Sequence, residues 1–339
     1  MRCYSVDGKG LNGLIMTERA EPERPGRGEA LVSVKSVALN YRDLMVMDGR
    51  YGGEQNPPIL AASDMCGVVE EVGEGVESIQ PGVRVVNAPF RCWPDGRMRP
   101  EWIRTFVGGN GVDGVLAERI VYPADALVKA PEHMSNDEAS TLTIAGLTAW
   151  AAVVTHGRVQ AGEWILLHGT GGVSIFGLQL ARLHGARTII STSSKAKAAA
   201  IQERFGVDAV IDYRDAQWPE AVREITGGAG ADLIVEVAGG ASLGRSINAC
   251  NYAGRVCVIG VLDGKLSEVN VRDLLSHQVN VRGIFMESTA ELRKFVRACA
   301  ANRLKPCIDR VFPFEQAREA YEHLQSQQHI GKVVIQVAQ

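Results

Sequence analysis

WILLHGTGGVSIFGLQLARLHG, residues 164–185, decides the fold. The apolar run Trp164 to Leu167 suits a strand buried on both faces, Gly169-Thr170-Gly171-Gly172 follows, and Val173, Phe176, Leu180 and Leu183 then recur on one side of a helix. A strand, a tight glycine turn and a helix in that order suit a bound pyrophosphate. Glycine lets the backbone turn sharply and approach the anion, and the positive end of the helix dipole lies behind the N–H groups. Read as G-x-G-x-x-G, the third place holds Ser174, with Gly172 and Gly177 to either side. Repetition carries the reading past an ordinary turn. ARTIIS (186–191) is a second strand, a helix spans 195–205, and AVID (209–212) is a third strand, the alternation of a parallel, doubly wound sheet.

The chain has 339 residues, 46% of them hydrophobic and 22% charged, as expected of a globular protein of about two domains. A formal net charge of -3 leaves no basic surplus to track a phosphate backbone, so nucleic acid is not an expected partner. No apolar run reaches the length of a membrane span, and MRCYSVDGKG lacks the features of a signal peptide, so a cytoplasmic protein without membrane contact is expected. The seven cysteines are scattered, odd in number and without a C-x-x-C pair, which favours free thiols over a disulfide framework or a zinc site.

Around the central stretch, ALVSVK (30–35), GVVEEVG (67–73) and RVVNA (84–88) read as strands divided by glycine and proline turns, with a short helix at 41–47, and together suggest a β-rich first domain. The region 87–114 is irregular. After it, VLAERIVYPADALVKAP returns to strands, and Ser135 with Glu138 three residues on opens an apolar helical run. Further strands are expected at 231–240, 254–260 and 279–285. Two amphipathic helices, at 290–301 and 314–325, then precede a closing strand at 331–337. The boundaries drawn on this pattern are 131–285 for the nucleotide domain, with 1–130 and 286–339 forming the other.

ALNYRDL, the G-x-Y of GRY, EEVGEGVESIQPGVRV, AGLTAW, GTGGVSIFGLQLA, GRVCVIG, and DRVFPFEQAREAYEHL with GKVVI together resemble the medium-chain dehydrogenase/reductase superfamily, on its alcohol-dehydrogenase-like and quinone-reductase-like branch. The resemblance covers essentially the whole chain. It implies an α/β protein in which a Rossmann domain is inserted into a β-rich, GroES-like catalytic domain, and an NAD(P)-dependent oxidoreductase. It also implies a homodimer formed through the edge strand Val279–Phe285, for which the plain alternative is an ordinary edge.

Zinc-dependent members hold their catalytic metal with Cys, His, and Cys or an acid; the positions laid onto that pattern here are Asn40, Ser63 and Ile144, and an isoleucine cannot coordinate. The seven histidines show no ligand spacing and are expected to be exposed or singly bonded. No zinc is therefore expected, and substrates whose charge is already delocalised, such as quinones and α,β-unsaturated carbonyls, become the easier hydride acceptors. The resemblance assigns Asn40 to hydrogen-bond the cofactor or a substrate oxygen and Tyr51 to donate a proton. Asp43 either holds a loop or water in place, or caps the helix and pairs with Arg42.

Gly169, Gly171, Gly172 and Val173 form the cofactor loop, and Thr148, Gly260 and Phe285 are carried over as nicotinamide-side contacts. Ser193 stands where an NAD-preferring fold places an acid. With Ser194 and Lys197 it forms a set that accepts the extra phosphate of NADP(H) over NAD(H), Tyr213 flanking it and Ser194 having the alternative role of helix cap. Two other functions compete with this one: a metal-free alcohol dehydrogenase acting on an alcohol or aldehyde, and a non-catalytic NADPH-binding protein.

Overall fold

The computed structural model describes residues 1–51 and 53–338 and divides into two compact units, residues 1–147 with 287–339 and residues 148–286.

The first unit is built on the strand Glu29–Leu39, whose small and β-branched residues alternate with Ser and Lys so that every second side chain up to Ser36 is buried. It lies inside a sheet ordered Ile308–Pro313, Lys332–Gln336, Glu29–Leu39, Asp64–Val72, Arg84–Asn87, Leu127–Lys129, and Arg119–Pro123 also pairs with it. Antiparallel pairing of Val333 with Leu39 sets the register and brings Lys332 opposite Asn40. A smaller sheet, Ile15–Glu18, Arg2–Val6 and Ile59–Leu60, has no counterpart in the sequence reading.

This unit continues to Leu147, beyond the boundary drawn at 130. The reason is local. Ser135 and Glu138 form the expected capping box, with Glu138 N donating to Ser135 Oγ at 3.1 Å and Ser135 N to Glu138 Oε2 at 2.8 Å. The helix so started, Asn136–Ser140, is bonded to the sheet by the Ser36 hydroxyl donating to Asp137. The apolar run that follows is not one continuous α-helix. π-helical turns at Leu142–Gly146 and Ala151–Thr155 flank a short α-helical piece, Leu147–Trp150.

The second unit is a six-stranded sheet, parallel throughout, in the order Ala209–Ile211, Arg187–Ser191, Trp164–His168, Ala231–Glu236, Cys250–Val258, Asn280–Gly283. In chain order this is 3-2-1-4-5-6, the Rossmann arrangement, and its switch point is Trp164–His168. Ile165, Leu166 and Leu167 are fully buried, as expected of a central parallel strand with both faces covered. The helices Trp218–Ile225 and Val271–Ser276 complete the unit and were not anticipated. Among the described residues no helix is long and apolar enough to cross a membrane.

Candidate functional site

In the second unit the chain turns at Gly169, whose φ of 75° is a conformation only glycine adopts without strain, and its N–H donates to the Ser191 carbonyl at 3.0 Å. Gly171 caps the helix Gly172–Leu183, with Val173 in its first turn. A Cβ added at Gly169 or Gly171 would meet nothing within 4 Å, so the outer side of the loop is open, as a pyrophosphate requires. Ser174, at the third place of the motif, is accounted for: its hydroxyl donates to the His168 carbonyl at 2.5 Å and closes the loop from within.

Next to this loop, Ser193 Oγ lies 2.9 Å from the Tyr213 hydroxyl, and Lys197 Nζ donates to Thr170 Oγ1 at 3.2 Å. The structure thus brings Ser193 together with Tyr213, and Lys197 with the glycine loop. Ser194 takes its alternative role, capping the helix Lys195–Phe205 by accepting from Lys197 N at 3.3 Å. Sequence reasoning missed Arg214. Its guanidinium donates to the Ser193 carbonyl at 2.9 Å and is clasped by both oxygens of Asp212, adding a cation beside Ser193. Gly260 and Phe285 follow the fifth and sixth strands, across the central strand from Ser193. A Cβ at Gly260 would come within 2.0 Å of the Val237 carbonyl, so packing alone demands glycine there. Thr148 Oγ1 donates to Met286 Sδ at 3.2 Å, and Phe285 is 44% exposed.

His168 departs from the expectation of an exposed or singly bonded histidine. It is buried, with Nδ1 3.1 Å from Ser191 Oγ and Nε2 3.1 Å from Ser246 Oγ. Burial pushes its pKa down, against the pull of Glu236 3.6 Å away. Burial would raise the Glu236 carboxyl, but His168 and four donors outweigh it: the hydroxyls of Ser246 and Ser242 at 2.6 and 2.8 Å and the N–H groups of Ala238 and Gly239 at 2.7 and 3.1 Å. The two groups thus pull on one another within a single buried hydrogen-bond network at the strand ends.

The candidate chemical residues of the first unit lie at the start of the helix Tyr41–Met47. Asp43, with its side chain 1% exposed, accepts from Asn40 N at 2.8 Å, from the Ser63 hydroxyl at 2.6 Å and from Arg42 at 3.4 Å. It is both a helix cap and a partner of Arg42. Arg42 also donates to Ser63 Oγ at 2.6 Å and to the carbonyls of Val107 and Gly108, which fastens the irregular segment 87–114 to this helix. Its guanidinium carbon sits 4.0 Å from the ring centre of Phe106 and 5.1 Å from that of Tyr51. Burial raises the Tyr51 phenol above its ordinary value, and the Arg42 charge works against that rise.

Beneath Asn40 are two charges that sequence reasoning did not single out. Lys332 is 3% exposed, and its Nζ donates to the Leu39 carbonyl at 2.6 Å and to Asn40 Oδ1 at 2.5 Å. Asp64 accepts from Ile144 N at 3.1 Å through Oδ2, while Oδ1 is buried without a hydrogen-bond partner. Burial pushes Asp64 up to about 7, with Lys332 and the hydrogen bond from the Asn40 side chain pulling the other way. The three positions laid onto the zinc pattern offer a poor donor set. Ile144 contributes only its N–H, Ser63 is committed to Asp43 and Arg42, and Asn40 Oδ1 faces an amine. Among the described residues no three or more of His, Cys, Asp and Glu converge as metal ligands.

Residues 26–132 match the family model "Alcohol dehydrogenase GroES-like domain", and residues 172–301 match "Zinc-binding dehydrogenase". A zinc-type alcohol dehydrogenase-like protein of Schizosaccharomyces pombe is 35% identical over 97% of this chain and 96% of its own length. The human quinone oxidoreductase is 26% identical over 88% of this chain and 86% of its own. A solved NAD-dependent alcohol dehydrogenase superposes over 100% of both chains with a TM-score of 0.88 at 31% identity.

Proposed function

The chain belongs to the medium-chain dehydrogenase/reductase superfamily as an NAD(P)-dependent oxidoreductase, and from that premise we propose that it uses NADP(H) to reduce a quinone, an α,β-unsaturated carbonyl or a simple carbonyl compound without zinc. The observation that carries this reading is the pairing of Ser193 with Tyr213 at the end of the second strand, where an NAD-preferring fold places a carboxylate. Lys197 and Arg214 supply positive charge nearby, as a ribose phosphate requires. The open backbone of Gly169 and Gly171 accepts the pyrophosphate at the helix N-terminus.

When bound, the nicotinamide supplies the hydride. The remaining work is to hold the negative charge that develops on the substrate oxygen and to deliver a proton to it. Asn40 contributes a side-chain N–H and Tyr51 a phenolic O–H, its ring fixed by Arg42. Zinc-independence is supported by the donor set at Asn40, Ser63 and Ile144, and the quinone and carbonyl classes follow from it, since their products delocalise charge without a Lewis acid.

We also propose a homodimer. The edge strand Asn280–Gly283 is exposed along its length, and Val271 and Leu275 stand 63% and 71% exposed on the helix preceding it. Sedimentation tests this: a single monomer species at micromolar concentration refutes it.

Purified protein incubated with NADPH or NADH and a panel of quinones, enones, aldehydes and alcohols tests the activity. Turnover of quinones, enones or aldehydes with NADPH preferred is expected. Activity only with alcohols and NAD overturns the reading in favour of a metal-free alcohol dehydrogenase, and tight NADPH binding without any turnover favours a binding protein.

A further inference from the structure

We infer that Lys332 is a positioning residue for Asn40: its amine holds the Asn40 carboxamide with Oδ1 turned inward, leaving Nδ2 as the edge that can meet a substrate oxygen. The inference rests on the oxygen-binding role proposed for Asn40 and adds a residue from the other end of the chain.

A carboxamide is pseudo-symmetric, so Asn40 alone has no reason to present N–H rather than C=O. Lys332 removes that freedom. Its Nζ lies 2.5 Å from Oδ1 and 2.6 Å from the Leu39 carbonyl, and it acts as a donor to both whether or not it is protonated. Burial pulls its pKa down, while Asp64 and Asp43 support its charge. Flipping the amide would put two N–H donors against an amine and sacrifice a short buried bond.

The opposite edge has two partners. Nδ2 meets the Ala38 carbonyl at 3.5 Å, the outer limit of a hydrogen bond, and its bond to the Asp64 carboxyl helps to hold that group's pKa down. A developing oxyanion therefore competes with these two acceptors, whereas an inverted amide would repel it. Backbone geometry reinforces the arrangement. Asn40 N is tied to Asp43 at 2.8 Å, and the Val333–Leu39 pairing sets the distance to Lys332. Lys332 opens an apolar strand, KVVIQ, and is itself buried, a costly place for an amine unless it has a fixed task.

The test has one arm that needs no turnover. In protein labelled with ¹⁵N-asparagine, the Asn40 side-chain resonances are identified by their absence from Asn40→Asp. A single sharp pair is expected in the wild type, and a broadened or doubled pair in Lys332→Met. An unchanged pair in Lys332→Met overturns the inference.

The second arm is kinetic. Lys332→Met is expected to lower kcat about 10- to 100-fold with KM for NADPH within about twofold. The double variant Lys332→Met/Asn40→Ala should lose no more than Asn40→Ala alone, and multiplicative losses would show that Lys332 acts by another route. Asn40→Asp guards against a Lys332 variant that fails to fold. It keeps the lysine's acceptor but has no N–H, so a fall in kcat at an unchanged melting temperature is expected, and full retained kcat overturns the inference. A wild type inactive toward the whole panel refutes the proposed function, while the resonance comparison still decides the role of Lys332.

Discussion

The Ser193 end of the second unit and the polar knot under Asn40 are both hydrogen-bond networks, yet they are assembled over very different lengths of chain. Gly169, Ser174, Ser193, Lys197, Tyr213 and Arg214 belong to consecutive strand–helix steps, and each contact spans at most 27 residues of sequence. The knot joins residues 39–43 to Ser63, Val107 and Gly108, and at its far end reaches Lys332. The first network leaves the outer side of its glycine turn open. The second is buried, and within it Asp64 Oδ1 and Arg42 Nε have no hydrogen-bond partner among the described residues. A site formed by neighbouring steps can change specificity residue by residue, whereas one formed by distant segments is tied to the folding of its unit.

The contrast is sharpest at Asp64, whose carboxyl is raised from 3.8 to about 7 in the folded chain. A raised folded-state pKa contributes stability that is present below about pH 4 and lost as pH climbs through 7, by as much as about 4 kcal/mol. Asp64→Asn should lack that loss, so its stability relative to wild type rises between pH 4 and 7.5 in paired urea melts; parallel curves would show the carboxyl to be ordinary. Arg42→Met leaves Asp43 buried without its cation and unfastens Val107 and Gly108, and about 3 kcal/mol of destabilisation is expected by chemical denaturation. NADPH affinity should hardly change. A deficit under 1 kcal/mol would reduce the knot to decoration.

In the open network, effects appear in binding rather than folding. Gly169→Val forces a β-branched residue to a φ of 75° and fills the outer side of the loop, so calorimetry should find NADPH bound about 100-fold more weakly. Ser193→Asp puts a carboxylate beside Tyr213 and near Arg214. An approximately tenfold shift of the NADPH-to-NADH affinity ratio toward NADH is expected, and an unmoved ratio would place cofactor choice elsewhere.

The same difference explains what could be read from the sequence. The glycine turn, the strand and helix alternation and the capping box at Ser135 are local signals, and each appears where the pattern placed it. Arg214 was overlooked although it adjoins Tyr213, because a charged residue after a strand looks like solvated surface until its contact with Ser193 is seen. Lys332 looked like an ordinary first residue of a closing strand. Ser63, which sequence reasoning considered only as a position in the zinc pattern, bridges Asp43 and Arg42. Asp43 caps its helix and pairs with Arg42, which in turn holds the carbonyls of Val107 and Gly108. The apolar helical run after Ser135 divides into π and α turns, a distinction that apolar periodicity over this length does not carry.

Lys332 meets Leu39 and Asn40 across 293 and 292 residues. A ribosome extruding this chain releases Ser36–Leu39 early and the strand that pairs with them almost last, after all of residues 148–286 have emerged. Until then that stretch is a bare sheet edge and the Asn40 carboxamide turns freely. The nucleotide-binding half can be finished while its counterpart is still waiting, so a nascent chain stalled short of Lys332 would gain cofactor affinity before it gained an ordered Asn40.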